Sequence, residues 1–444
     1  MKQWIARAAA LSLLAGIPMA AAAAEPDPQT QGAQDWAIHG QATLTWQGHP
    51  AFRSPYSGPN SMNASANGRE TLDATLYAGV RPWTGGEIWI DPEIDQGFGL
   101  SNTLGAAGFP SGEAYKIGQA APYLRLQRLF LRQTFDLGGQ REKVDPDLNQ
   151  LGGSRSSDRL VLTIGKFGVP DVFDANSLAH DPRQDFLNWS LIDAGSFDYA
   201  ANAWGYTVGA AAEWYQGPWT LRAGAFALSK VPNSTEIDWS LHQFQLVGEV
   251  ERRYRIAGRD GALKLTGFLS RGRMGRFDDA VALARATGDP ADVSLVRRYG
   301  SRTGLSFDLE QSLTSHLGVF ARGGVAGGSV EPYEFSDIDR TLSGGLSFAG
   351  SAWGRKDDRV AIAGVINHIS KAHQAYLAAG GLGILVGDGQ LPHPGAEHIL
   401  EGYYSFAVRG PLRISLDYQF IGNPAYNRDR GPVSVFGVRL HAQL

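Results

Sequence analysis

The chain has 444 residues, is 43% hydrophobic, carries 40 basic against 44 acidic side chains, and contains no cysteine. The absent thiols exclude a disulfide framework, a thiolate zinc site and a cysteine nucleophile, and the near balance of charge gives no footprint for a nucleic-acid partner. Fifty-six Gly, 11 Trp and 15 Tyr suit tight sheet packing and aromatic girdles at membrane surfaces.

Residues 1–24 read as a secretory signal peptide. Lys2 and Arg7 precede an apolar run from Ala8 to Met19, and Ala20 to Ala24 offer an A-x-A cleavage site before Glu25. Cleavage removes two positive charges, so the formal charge of -4 becomes -6 for a single domain over residues 25–444. No later apolar run approaches the roughly 18 residues of a membrane helix. An exported chain of this kind spans a membrane only as a barrel.

The first predicted strand is Trp36 to Trp46, with Trp36, Ile38, Ala42, Leu44 and Trp46 on one face and His39, Gln41, Thr43 and Thr45 on the other. After the polar stretch Gln47 to Glu70, Leu72, Ala74, Leu76, Ala78 and Val80 alternate with Asp73, Thr75 and Tyr77. A tight turn at Arg81 to Gly86 leads into Glu87 to Glu93, where Ile88 and Ile90 alternate with Trp89 and Asp91. Leu124 to Phe135 mixes Arg and Leu on both faces, which predicts a bulge or a register change. Further strands are expected near 158–167, 203–215, 219–228, 243–253, 262–270, 302–312, 317–325, 340–349, 359–368 and 399–409. Several of these are clean, 203–215 among them, with Trp204, Tyr206, Val208, Ala210, Ala212 and Trp214 alternating with Thr207, Gly209 and Glu213. A short helix, Asp278 to Ala286, is expected inside the loop 271–301. The last two strands run from Leu412 to Phe420 and from Phe436 to Leu444, with Arg413, Asp417, Arg439 and His441 on the polar face.

That makes sixteen strands with the one at 124–136 included. Short turns (216–218, 313–316, 409–411) alternate with long connections (47–70, 94–122, 168–202, 271–301, 369–398); 137–157 is a long connection on the short-turn side. Two stacked soluble sheets do not need this alternation, whereas a bacterial barrel does. The expected fold class is all-β, a transmembrane antiparallel β-barrel of 16 strands with both termini in the periplasm.

The remaining motifs carry little chemistry. Gly381-Leu382-Gly383 with Gly387 lacks the strand and helix of a nucleotide loop. Asp145, Asp147 and Asn149 have the first spacing of a calcium loop, but its glycine is missing and Ser156 stands in place of its bidentate Glu. No metal and no cofactor is expected. There is no G-x-S-x-G elbow and no H-E-x-x-H pair, which weighs against a barrel enzyme.

Blocks along the chain resemble the carbohydrate-selective outer-membrane porins of the OprB type. They include Gly40-Gln41-Ala42-Thr43, Pro50-Ala51-Phe52, Pro92-Glu93 with Gln96-Gly97, and Gly108-Phe109-Pro110-Ser111-Gly112-Glu113. Arg128 to Thr134, Gly165-Lys166-Phe167, Asp181-Pro182-Arg183, Phe186 to Trp189, Tyr376 to Gly383 and Asn423 to Val433 continue the series. The resemblance implies a bacterial outer-membrane barrel through which sugars, monosaccharides such as glucose above all, diffuse into the periplasm. It also implies extracellular loops folded inward to narrow the pore. Implied partners are permeating sugars, outer-membrane lipid, lipopolysaccharide and the barrel-assembly machinery, with the protein a monomer or homotrimer. Leu444 stands where such chains usually end in an aromatic residue, which bears on assembly efficiency.

A sugar needs donors and acceptors for its hydroxyls and an aromatic plane for a ring face, while binding stays weak enough for conduction. Candidates on the inward faces are Trp89, Asp91 and Glu93 on one strand, Arg128, Phe130 and Arg132 on the next, and Lys166. Asp181, Arg183 and Trp189 lie in the third long loop. The expected constriction is Glu93 with Arg128 and Arg132, with Trp189 or Trp89 as the stacking plane and Phe130 between the two arginines. The bland reading is that each Trp anchors an interface and each Arg braces a loop. A barrel for uronates or organic acids is the competing channel reading.

Overall fold

The computed structural model describes residues 33–114 and 118–444; the signal-peptide segment lies outside them. In β1 (Trp36–His49) the polar set Gln41, Thr43, Thr45 and Gln47 is buried, whereas Ile38 and Trp46 are exposed. The period-2 alternation has therefore been used inside out relative to a soluble sheet, with apolar groups outward and polar groups inward. The same pattern holds in β2 (Asn67–Val80), which buries Asp73, Thr75 and Tyr77 and exposes Leu76 and Val80. In β3 (Gly86–Gly97), Trp89, Asp91, Glu93 and Asp95 face in and Ile88, Ile90 and Ile94 face out.

The ring continues through β4 (Gln119–Val144), β5 (Gly153–Phe167), β6 (Thr207–Gln216), β7 (Trp219–Ala227), β8 (Phe244–Ile256) and β9 (Arg259–Met274). It is completed by β10 (Arg298–Ser312), β11 (Leu317–Ala326), β12 (Arg340–Ala349), β13 (Arg359–His368), β14 (Glu397–Arg409), β15 (Leu412–Gly422) and β16 (Val433–Gln443). Every neighbour is antiparallel, and β1 pairs with β16 in the register Gln41↔Gln443 to Gly48↔Phe436. Beyond the last ladder pair, Leu444 and Gly40 exchange two backbone hydrogen bonds of 2.8 and 3.0 Å. Closure leaves no sheet edge to desolvate in lipid.

Short and long connections alternate as expected, with both termini on the short-turn side. The irregularity at 137–157 resolves into strand: β4 and β5 extend far past their neighbours, and only 145–152 form the tip of their hairpin. The bulge also appears. Asp91 pairs with Arg128 but Pro92 pairs with Leu126, so Gln127 is the extra residue. Proline brings no N–H to the ladder, which is where a bulge costs least.

One strand start is corrected. β6 begins at Thr207, and Trp204 and Tyr206 belong to the loop before it, because Gly205 takes a positive φ of 92° and ends the extended backbone. The two aromatics do not continue the lipid face.

The long loops fold into the barrel. The β5–β6 loop, residues 168–206, holds α1 (Trp189–Ile192) and is buried over most of its second half. Wall residues hold the loops in place: Glu401 accepts from the backbone N–H groups of Leu187 and Asn188 at 2.5 and 2.9 Å, and Glu397 from those of Ala107 and Gly108 at 3.0 and 2.7 Å. From β11, three strands away, buried Arg322 donates to the carbonyls of Leu191, Asp174 and Ala179 at 3.1, 3.2 and 3.2 Å. At the outer end, α2 (Phe277–Thr287), the helix expected in the β9–β10 loop, packs on α3 (Lys371–Ala378). Phe277 stacks on His373 there with ring centroids 4.3 Å apart.

Candidate functional site

The bulge at Gln127 decides which β4 side chains face the lumen. Above it Arg125 lies opposite Glu93; below it Arg128 and Arg132 lie opposite Asp91 and Glu87. A basic row on β4 therefore runs alongside an acidic row on β3. These rows border a cavity of about 1350 Å³, larger than the roughly 300–1,000 Å³ of ordinary small-molecule pockets.

Glu93, Arg128, Arg132 and Trp189 all line this cavity, as do Asp181 and Arg183. The cation facing Glu93 across the lumen is Arg183, from the β5–β6 loop. Its Nη2 lies 3.0 Å from both Asp73 and Glu93, and its Nε lies 3.4 Å from Glu113. Glu93 also accepts from Gln127 at 3.0 Å and from Thr75 at 2.5 Å. Arg128 forms a two-pronged pair with Asp171 at 2.7 and 2.6 Å, lies 3.8 Å from Asp91, and sits over the Tyr206 ring at 5.0 Å. Arg132 reaches Glu87 at 3.5 Å and the carbonyl of Asn149 at 2.8 Å. Every cation in this row faces a carboxylate, so the lumen is strongly polar without being strongly of one sign.

Two of the expected residues are placed otherwise. Trp89 is fully buried and absent from the cavity lining: it stacks with His39 at 6.5 Å, packs on Gly79 and donates to Glu87 at 3.1 Å. Phe130, 4% exposed, makes an edge-to-face contact with Phe167 at 6.3 Å. Alternation puts both on the inner face, where side chains of the neighbouring strands, His39, Glu87 and Phe167 among them, cover them. The aromatic surface comes instead from Trp189, Tyr199, Trp204, Tyr206 and Phe335. Trp189 stacks on Phe109 at 5.2 Å, and its buried indole N–H has no partner among the described residues. Trp204 lies under Arg125 at 3.2 Å. Lys166 points to the carbonyl of Leu126 at 2.5 Å and is outside the lining.

Sequence reasoning passed over Asp171, Trp204 and Tyr206. Asp171 gives no periodic signal because it sits in a loop turn, where its side chain accepts from the N–H of Gly168 at 2.8 Å. Burial opposes its ionisation, yet the adjacent Arg128 guanidinium holds its pKa below the usual carboxylate value. Glu113 goes the other way: burial pushes it well above the carboxylate range although Arg183 pulls against the shift. The two loop carboxyls are thus pushed in opposite directions by their surroundings.

A family model described as carbohydrate-selective porin, OprB family, matches residues 60–444. The chain belongs to this family. The porin matches no curated protein. Among solved structures, the high-pH structure of Pseudomonas putida OprB superposes with a TM-score of 0.67 at 16% identity, covering 92% of this porin and 94% of that chain. The low-pH structure of the same protein gives 0.51 at 13%, covering 92% and 93%. The DcaP channel of Acinetobacter baumannii gives 0.53 at 10%, covering 94% and 98%. Identities this low establish the porin fold alone; membership in the carbohydrate-selective family, an outer-membrane barrel, rests on the family match.

Proposed function

We propose that this porin carries sugars by facilitated diffusion through the outer membrane into the periplasm, with monosaccharides such as glucose as its preferred solutes. Glu93, Arg128 and Arg132, joined by Arg183, form the narrow polar ring, and Trp189 supplies the aromatic surface. The observation that carries this reading is the pairing of every lumen arginine of that ring with a carboxylate beside a cluster of aromatic rings. Paired charges offer both donors and acceptors to hydroxyls and cancel most of the field that would draw ions. The Trp189 N–H is buried and has no partner among the described residues, so it donates to a solute only where the ring turns toward the lumen.

Flux into liposomes containing the purified protein tests this reading, with glucose, a disaccharide and an amino acid of similar size compared. Faster glucose entry, with glucose blocking the ion current, is the expected result; equal flux of all three would overturn sugar selectivity. A reversal potential set strongly by anions would instead favour the uronate or organic-acid reading. Hydrolysis of a generic ester by the purified protein would bring back a barrel enzyme.

A further inference from the structure

The β4–β5 hairpin on the short-turn side does more than join two strands. Beyond Asp136 its register shifts at Gly138, and Gly138 and Gly139 both take positive φ, 116° and 79°. The hairpin bends there and brings its tip, residues 145–152, back under the barrel mouth. Asn149 donates to Asp91, a fully buried lumen residue, at 3.1 Å, and Arg132 holds the Asn149 carbonyl at 2.8 Å. Leu151 is 1% exposed, buried in the barrel's main apolar cluster, with Leu148 packed against it.

The far side of the tip is tied to the wall two to four strands away, around β1, β2 and β16. Gln34 exchanges backbone and side-chain bonds with Gly152 at 3.0 and 2.8 Å. Arg81, in the β2–β3 turn, donates to the carbonyls of Gln34 and Gly152 at 2.8 and 3.3 Å, and Gln443 of β16 donates to Asp147 at 3.3 Å. The tip is thus anchored on β4 and β5 at one end and beside β1, β2 and β16 at the other. A turn with no role in transport has no reason to fold back over a sector of the mouth, bury Leu151 and half-bury Leu148, and place an amide on a lumen carboxylate.

We propose that this hairpin tip is a fixed strap that narrows the periplasmic exit and forms a second selective station, with Asn149 as a specificity-determining residue. A solute leaving the loop-lined ring passes Arg132 and Asn149, which line the cavity, and its hydroxyls exchange with the bond between them, while buried Asp91 holds the Asn149 amide in place from behind. The inference rests on the channel reading, because a strap selects nothing in a barrel that does not conduct.

Two series of variants test it, each first checked for a folded barrel by heat-modifiable migration in gels. In one, residues 145–152 are replaced by Asn-Gly, a two-residue turn suited to the Val144–Gly153 pair. Removing one of two constrictions in series raises single-channel conductance by about twofold or more. Disaccharide flux then rises relative to glucose, and Asn149→Ala shifts the same ratio part of the way. A folded, shortened protein with unchanged conductance and flux ratio overturns the proposal. In the other, Asp147→Cys and Gln443→Cys are joined by a short bifunctional thiol reagent, the chain having no other cysteine. Unchanged flux after cross-linking supports a fixed strap, whereas a blocked channel overturns it by showing that the tip must move. If the parent protein conducts no sugar in either series, it is the channel reading that fails.

Discussion

At Arg183 a single guanidinium faces three carboxyl groups, those of Asp73, Glu93 and Glu113. Arg183→Met leaves that side of the ring net negative, so the reversal potential in a salt gradient is expected to move toward the cation limit and block by glucose to weaken. An unmoved reversal potential would show that Arg183 only braces its loop. Trp189→Phe keeps an aromatic ring and removes the unpartnered N–H. If that N–H bonds a solute hydroxyl, losing one hydrogen bond worth about 1 kcal/mol weakens glucose block roughly fivefold. Unchanged block would assign Trp189 to packing alone. Alternation identified the inward face of Glu93, Arg128 and Arg132 because face depends only on period. It could not say how deep a side chain lies on that face, which is why Trp89 and Phe130 were grouped with residues that line the cavity. Trp204 was lost for a different reason: one positive-φ glycine ended the strand without disturbing the pattern of letters.

At the scale of elements, the β5–β6 loop is the part that shapes the lumen, and Arg322 is its principal clamp. Besides its three carbonyl contacts, Arg322 pairs with Asp308 at 2.8 Å and lies 3.7 Å from Asp174. Removing one partner of a buried ionic cluster costs roughly 3–5 kcal/mol. Arg322→Met is therefore expected to give noisy, larger conductance steps and protease cleavage within 168–206, with the barrel itself intact. Arg322→Met traces as quiet as those of the wild type would rule out the clamp. The loop platform of α2 and α3 has its own titration. Burial disfavours ionised Asp339, but its hydrogen bond from His373 and the nearby Arg302 more than offset this and hold its pKa at about 2 against an ordinary 3.8. A depressed carboxyl stabilises the fold above its unfolded pKa and loses that contribution as pH falls from about 4 to about 2. Pepsin cleavage of the 369–396 loop should rise across that window, and Asp339→Asn should flatten the profile. The sequence showed where loops were long but not where they went. The anchors are single buried acids and arginines on distant strands, such as Glu401 and Arg322, and no local pattern links them to their loops. The 137–157 segment was misjudged because its exposed hairpin lacks the one-sided burial that marks a strand crossing lipid.

For the whole molecule, sixteen strands and their order were legible because lipid on one side and solute on the other impose the same alternation everywhere. Extraction follows from this: detergent should release the protein from membranes and salt alone should not. Cleavage before Glu25 remains part of the proposal, and N-terminal sequencing of the purified protein checks it, with Glu25 as the expected first residue. The seam between β1 and β16 sets the order of assembly. Its pairs, such as Gln41↔Gln443, join residues roughly 400 positions apart, while every other seam joins neighbours in the chain. Loop-closure entropy makes so distant a contact the slowest to form. The hairpins can zip in sequence, but until the final strand arrives the growing sheet keeps two bare edges, each able to pair with a stranger. The longer that wait lasts, the more chains are lost to wrong pairings before the ring closes.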